Sequence, residues 1–209
     1  MANPIGPFGF QPVRNNGMYT GQVNIYYIPS TDGSEYSIGD AVKTVAGGDP
    51  NGIPQIQKST GAAGEYQRGV IVGFQAVPAV GQNGSIQGSP LTLEVINAPA
   101  TKSRAYYAWV LDDPQAVYII QDDGLNALTA TSCNKNATFT VANNANALIQ
   151  ISATTLTTGT VATTATFPLK IRGLYQSVAP GGGNTFGVNA KWVVSFNLHE
   201  LSASGVAGY

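Results

Sequence analysis

Residues 103–124 read SRAYYAWVLDDPQAVYIIQDDG, two dense runs of β-branched and aromatic residues on either side of Asp112-Asp113-Pro114. Side chains alternate across a strand, so Tyr106, Ala108 and Val110 point one way and Tyr107, Trp109 and Leu111 the other. Both faces are apolar. A half-wet strand alternates hydrophobic with polar residues, whereas a strand apolar on both sides is central to a sandwich or barrel. The first run is therefore predicted to be an internal strand, and the Asp-Asp-Pro break predicts a hairpin that returns through 115–121.

Outward from this stretch the same short rhythm recurs. Strands are expected over 23–28, 38–45, 53–57, 69–74 and 91–96, separated by Gly/Pro/Asn/Asp/Ser clusters such as Pro29–Ser34 and Gly47–Gly52. Gly69 and Gly73 mark a bulge or a close backbone approach. A long polar loop is expected over 76–90. Beyond the central stretch, 125–166 reads as a possible excursion, Asn/Thr-rich with at most one short helix, its Thr-dense half (153–166) favouring extended structure. Residues 166–175 follow as a strand whose Pro168 puts it at an edge, a strand start or a bulge. The composition of 179–183 predicts a mobile loop. Along 192–199, Trp192, Val194, Phe196 and Leu198 share one face, while Val193, Ser195, Asn197 and His199 share the other. Many short strands and hardly any helical period predict an all-β fold, an antiparallel β-sandwich or barrel that includes the jelly roll among its variants. One β domain is expected over 18–201, with an extended N-terminal arm over 1–17 and a flexible tail over 202–209.

The arm carries Pro4, Pro7 and Pro12 with Gly6, Gly9 and Gly17, which disfavour a helix and a regular ladder. It is also rich in large apolar side chains, Ile5, Phe8, Phe10 and Val13, with Arg14 beside them. Disordered segments are poor in aromatics, so something should bury these. Either the arm lies across its own domain, or it docks on a neighbouring subunit, since ~15 extended residues reach roughly 50 Å. Ile5, Phe8, Phe10, Val13 and Arg14 are the candidate partner-binding residues.

Charged residues make up 10% of the 209-residue chain, far below the roughly 25% of ordinary globular proteins. Thr, Ser, Asn, Gln and Gly take their place. The ten Lys and Arg are scattered and the net charge is −1. Without a basic stripe to release counterions from phosphates, nucleic acid is not an expected partner. Cys133 is the sole cysteine, which excludes an intramolecular disulfide and a multi-cysteine metal cluster, and fits a reducing compartment. No signal-peptide pattern opens the chain and no run of ~18 apolar residues occurs, so neither secretion by that route nor a membrane span is expected.

Little in the sequence suggests catalysis. Nucleophilic triads need an imidazole, and His199 is the single histidine, expected to be a structural residue near Glu200. One His and one Cys far apart are poor material for zinc. Asp112-Asp113 and Asp122-Asp123 would lie at opposite ends of one strand, too far apart for a shared calcium ion or glycosidic bond, and both pairs read as turn starters. Gly181-Gly182-Gly183 precedes no helix and no Lys-Ser/Thr, so it is not a phosphate loop. The sequons at Asn83 and Asn136 read as chance matches. Tyr106, Tyr107, Trp109 and Trp192 could form a sugar-stacking surface, although strand aromatics are more often core. No enzymatic activity, cofactor or metal is expected.

Four stretches are similar to a group of tailed-bacteriophage head proteins that includes capsid cement, or decoration, proteins. They are Gly6-Pro7-Phe8-Gly9-Phe10-Gln11-Pro12-Val13-Arg14, Trp109-Val110-Leu111-Asp112-Asp113-Pro114, Pro168-Leu169-Lys170-Ile171-Arg172-Gly173-Leu174, and Ala190-Lys191-Trp192-Val193-Val194 with Asn197-Leu198-His199. The resemblance spans most of the chain, weakest over 125–166, and carries over no active-site residue. It implies a virion protein, made in the host cytoplasm, that sits on the exterior of an icosahedral capsid and clamps copies of the major capsid protein. A homo-oligomer, dimer or trimer, is expected. The alternative is another virion or surface β module, such as a tail component or a carbohydrate-binding domain.

Overall fold

A computed structural model describes residues 3–13, 22–76, 97–143, 151–176 and 183–202. Within them the chain is nearly all β, with no α-helix and two single-turn 3-10 helices at Ala130–Ser132 and Thr158–Thr160. The first strands are β1 (Gln11–Pro12), β2 (Asn24–Ile28), β3 (Tyr36–Ser37), β4 (Ala41–Gly48), β5 (Pro54–Lys58), β6 (Gly69–Ala76) and β7 (Asn97–Ala98). The remainder are β8 (Tyr106–Leu111), β9 (Tyr118–Gln121), β10 (Asn136–Ala137), β11 (Phe139–Thr140), β12 (Thr155–Leu156), β13 (Leu169–Leu174) and β14 (Lys191–Phe196).

Two layers result. Strands β2-β5-β4-β6-β8 close into a barrel, sealed by the parallel contact Tyr27↔Gln55. Strands β1-β9-β14-β13-β10 form a five-stranded antiparallel sheet, and β3-β7 and β11-β12 add two short ladders. The alternation of strand side chains explains how the layers hold each other. Val42, Ile71, Ala108 and Val110 join a buried cluster drawn from all five barrel strands. Their neighbours Ala41, Val70 and Leu111 point the other way, into a second core with Tyr118, Ile120, Leu169, Ile171, Trp192 and Val194 of the sheet. β8 thus serves two cores, with Tyr106, Ala108 and Val110 in one and Leu111 in the other. On β14 the face expected to be apolar, Trp192, Val194 and Phe196, packs into that second core.

Gly69 is a close-approach point: a Cβ there would lie 2.2 Å from the carbonyl oxygen of Leu111. The register of β6 against β8 shifts between Ile71 and Gly73, a bulge where one was expected.

The expected hairpin does not form. β8 pairs with β2 and β6 in the barrel, whereas β9 pairs with β1 and β14 in the sheet. Asp112-Asp113-Pro114 is a crossover between layers. Its turn chemistry is as read: Asp113 Oδ1 accepts from the Gln115 N–H at 2.8 Å, and its carbonyl accepts from the Ala116 N–H at 3.0 Å. Distant partners set its direction. Asp112 Oδ1 accepts from Asn24 Nδ2 at 2.9 Å, and Oδ2 accepts from the Tyr26 hydroxyl at 2.7 Å, with the Arg68 guanidinium at 3.4 Å.

A second correction concerns 153–166, where only Thr155–Leu156 is a strand and a 3-10 turn follows. Threonine hydroxyls here make other bonds: Thr160 Oγ1 donates to the local Thr157 carbonyl at 2.9 Å, and Thr158 Oγ1 to the distant Asp123 carboxylate at 2.6 Å. The excursion is also woven into the sheet, through β10 against β13. The strand expected over 91–96 lies outside the described residues. So do the loop expected over 76–90 apart from Ala76, the loop over 179–183 apart from Gly183, the arm beyond Val13, and the tail beyond Ser202.

Candidate functional site

Residues 3–13, within the stretch expected to be an arm, are bound to the rest of the described chain by a sequence of specific contacts. At its C-terminal end β1 pairs with the edge of β9, in the register Gln11↔Ile119 and Pro12↔Tyr118, a position where proline's missing N–H is tolerated. The Val13 N–H donates to the Val117 carbonyl at 2.9 Å. Phe10 then enters the core between the layers, 1% exposed, with its ring centroid 5.1 Å from Phe139, 5.5 Å from Phe196 and 5.9 Å from Tyr118. Two glycines allow this entry. Gly9 and Gly39 both adopt positive φ, +68° and +92°. A Cβ on Gly9 would lie 2.6 Å from the Gly39 carbonyl oxygen and 2.5 Å from Ser152 Cβ. In that crossing the Phe10 N–H donates to the Gly39 carbonyl at 2.9 Å.

Phe10 is therefore committed to its own subunit, which corrects the expectation that it reaches a partner. Of the two routes open to the arm, lying across its own domain is the one taken by 8–13. Phe8 is half-buried, with Lys191 Nζ 5.5 Å from its ring centroid. Val13 is partly buried. Arg14 lies outside the described residues.

Ile5 is the exception. It is 80% exposed, yet the backbone on either side of it is fixed. Gln121 Nε2 donates to the Pro4 carbonyl at 2.8 Å and to the Asn189 carbonyl at 2.9 Å, while Gln121 Oε1 accepts from the Gly6 N–H at 3.0 Å. Asn3 Nδ2 donates to the carbonyls of Thr185 and Val188 at 2.9 and 3.0 Å. Three segments, 3–6, 121–128 and 184–189, are joined in this way, with the Gly187 N–H donating to the Leu128 carbonyl at 3.1 Å as a further tie. They carry four large apolar side chains that face solvent: Ile5, Leu125 (78% exposed), Phe186 and Val188. The other exposed large hydrophobics among the described residues, Ile25, Tyr66 and Leu201, belong to other segments.

This surface stands on a rigid support. Beneath it Asp122 is buried, accepting from Trp192 Nε1 at 3.0 Å and from the Ala190 N–H at 3.1 Å. Burial pushes its carboxyl up, against those donors. The Phe186 ring rests 5.9 Å from that of Trp192, and Asn184 clamps the loop by donating to the Tyr175 and Lys191 carbonyls at 2.9 and 2.6 Å. Leu125, Phe186 and Val188 were not anticipated from sequence. The signal was available at Phe186, a large apolar residue in a Gly/Asn-rich loop, the same anomaly that singled out the arm.

The groups with potential chemistry are engaged in structural contacts, although the buried His199 Nε2 has no hydrogen-bond partner. His199 is buried, its Nδ1 accepts from the Leu201 N–H at 3.1 Å, and burial and the nearby Arg68 lower its pKa. Asp122 and Asp123 start Asx turns onto Gly124 and Leu125, at 3.0 and 3.1 Å. Asn136 is fully buried with Nδ2 donating to the Thr164 carbonyl, so its sequon is not presented at the surface. Trp192, Tyr106 and Tyr107 are buried, and Tyr107 donates to Asp49 at 2.6 Å, so they make no sugar-stacking platform with the partly buried Trp109. Among the described residues no group of three or more His, Cys, Asp or Glu is placed to hold a metal ion. Compared with known protein families, curated proteins and solved structures, the chain matches none.

Proposed function

We propose that the protein is a structural component of a virion, a cement protein that binds the exterior of an icosahedral phage capsid and stabilises contacts between copies of the major capsid protein. One observation carries this reading: a rigidly held surface displaying Ile5, Leu125, Phe186 and Val188. Scattered exposed apolar residues are ordinary, but four of the seven exposed large hydrophobics among the described residues fall on segments tied together by hydrogen bonds, which fits a contact site. Support also comes from the likeness of the 6–14, 109–114, 168–174 and 190–199 stretches to tailed-phage head proteins, and from the low charge of the chain. Repeated on a shell, many modest contacts give large avidity, so each interface can be small. Self-association as a dimer or trimer would multiply the contacts each unit makes.

The test uses tailed-phage heads assembled from a major capsid protein and lacking this chain. Adding the purified protein should raise the temperature at which those heads break down and protect them at low salt. Unchanged breakdown at saturating protein would reject the reading.

A further inference from the structure

Away from the arm, four polar side chains from separate parts of the chain meet beside a cavity of about 350 Å³ whose walls include Glu35, Lys58 and Asn143. Lys58 ends β5, Asn143 follows β11, Asp40 precedes β4 and Glu35 precedes β3. Lys58 is largely buried. Its Nζ lies 2.5 Å from Asn143 Oδ1, 2.8 Å from Asp40 Oδ2 and 3.0 Å from the Glu35 carbonyl oxygen. On the other side of the same amide, Asn143 Nδ2 donates to Glu35 Oε2 at 3.3 Å. Asp40 is fully buried; its Oδ2 also accepts from the Ser37 N–H at 2.8 Å, while Oδ1 has no hydrogen-bond partner.

An amine, a carboxamide and a buried carboxylate in this order are the components of an amide-exchange reaction. Lys58 Nζ is in direct contact with the Asn143 side-chain carbonyl, so a rotation of that carboxamide would bring the nitrogen over Cγ, the near-attack arrangement. We propose that Lys58 and Asn143 form an intramolecular isopeptide bond, with Asp40 receiving the proton of the lysine and Glu35 guiding the leaving nitrogen.

The step balances without an external reagent. Lys58 passes one proton to Asp40, and the freed lone pair attacks Asn143 Cγ, forming the new C–N bond. The attacking nitrogen passes a second proton to Nδ2, which Glu35 Oε2 holds by its hydrogen bond. The Cγ–Nδ2 bond then breaks with its electron pair on nitrogen, and ammonia leaves, carrying the proton from Asp40 away as ammonium. Burial raises the affinity of Asp40 for that proton, with Lys58 opposing. Lys58 Nζ lies against Asp40 Oδ2, the oxygen that receives the proton. The bond would join a barrel strand to the segment after β11, 85 residues further along the chain, and constrain the unfolded chain as a disulfide does.

Intact-mass spectrometry of the purified, folded full-length chain tests this. Loss of ammonia should place the mass about 17 Da below that of the sequence, and a digest should contain one branched peptide joining the segments of Lys58 and Asn143. Lys58→Arg, which keeps a positive charge beside Asp40, and Asn143→Ala should each restore the full mass and abolish the branched peptide. A succinimide at Asn51-Gly52 would lose the same mass but would survive Lys58→Arg. A wild-type chain of full mass after prolonged incubation, or a deficit that persists in Lys58→Arg, would overturn the proposal.

Discussion

Two positions of the described arm five residues apart, Ile5 and Phe10, have opposite fates. Phe10 is 1% exposed among Tyr118, Phe139 and Phe196, and Ile5 is 80% exposed on backbone held by Gln121. Both are large apolar residues in one Pro/Gly-rich segment. The difference is where the backbone can go: the Gly9–Gly39 crossing opens a way into the core for Phe10, whereas side-chain hydrogen bonds along the sheet hold the chain around Ile5 at the surface. Apolar content alone therefore does not identify a partner-binding residue. An exposed apolar side chain on fixed backbone is the better criterion, and it moves the candidate surface from Phe10 to Ile5, Leu125, Phe186 and Val188.

The largest expected effect falls on the buried end. Phe10→Ala should lower stability by about 3–5 kcal/mol, because it removes a ring from a core it shares with three other aromatics. A chemical-denaturation curve unshifted by this change would place the ring outside the core. Gly9→Ala should cost roughly 2–3 kcal/mol, since alanine resists positive φ and its Cβ would meet the Gly39 carbonyl and Ser152. The same denaturation measurement checks it.

A control away from both ends sets the scale. Glu65 accepts from Lys43 Nζ, Ser59 Oγ, both donors of Thr60 and the Gly61 N–H. Burial would raise its carboxyl, but these donors hold it down at about 2. A carboxyl lowered on folding contributes stability that is present above its unfolded pKa, about 4.3, and lost as pH falls toward 2. Glu65→Gln should cost about 1–2 kcal/mol at neutral pH and flatten the stability profile across that acid window. An unchanged profile would show that the nest of donors does not hold the ionised carboxylate.

Smaller again is the effect at the exposed end. Gln121→Ala removes the bonds to Gly6, Pro4 and Asn189 and should cost about 1 kcal/mol. Its signature is local, faster hydrogen exchange at the Gly6 amide with little change at Phe10. Equal acceleration at both amides would mean that the arm detaches as one unit and that its two ends are not independently held.

What the sequence revealed and what it concealed divide along the same line. The two-faced apolar pattern of 106–111 was legible because it depends only on alternation, and β8 does feed two cores. The path after Leu111 was not, because Asp-Asp-Pro makes the same local turn in a hairpin and in a crossover. The choice rests with Asn24, Tyr26 and Arg68, far away in sequence, whose donors fix Asp112 to the barrel. The threonine-dense segment misled for a related reason: β-branching favours extended backbone, but hydroxyls bonded to Thr157 and Asp123 turn the chain instead. For the candidate surface, the arm's excess of apolar residues was visible, but which of them a lone subunit buries depends on a glycine crossing between Gly9 and Gly39.

The central claim is that the solvent-facing apolar residues beside the arm hold the protein on a shell. Its most direct test is co-sedimentation of the Ile5→Asp/Leu125→Asp variant with the undecorated heads. Both side chains are exposed, so each change should alter stability by no more than about 0.5 kcal/mol. Wild-type protein should pellet with heads in a saturable manner, and the folded variant should stay in the supernatant. A variant that pellets with the same saturation curve as wild type would contradict the account.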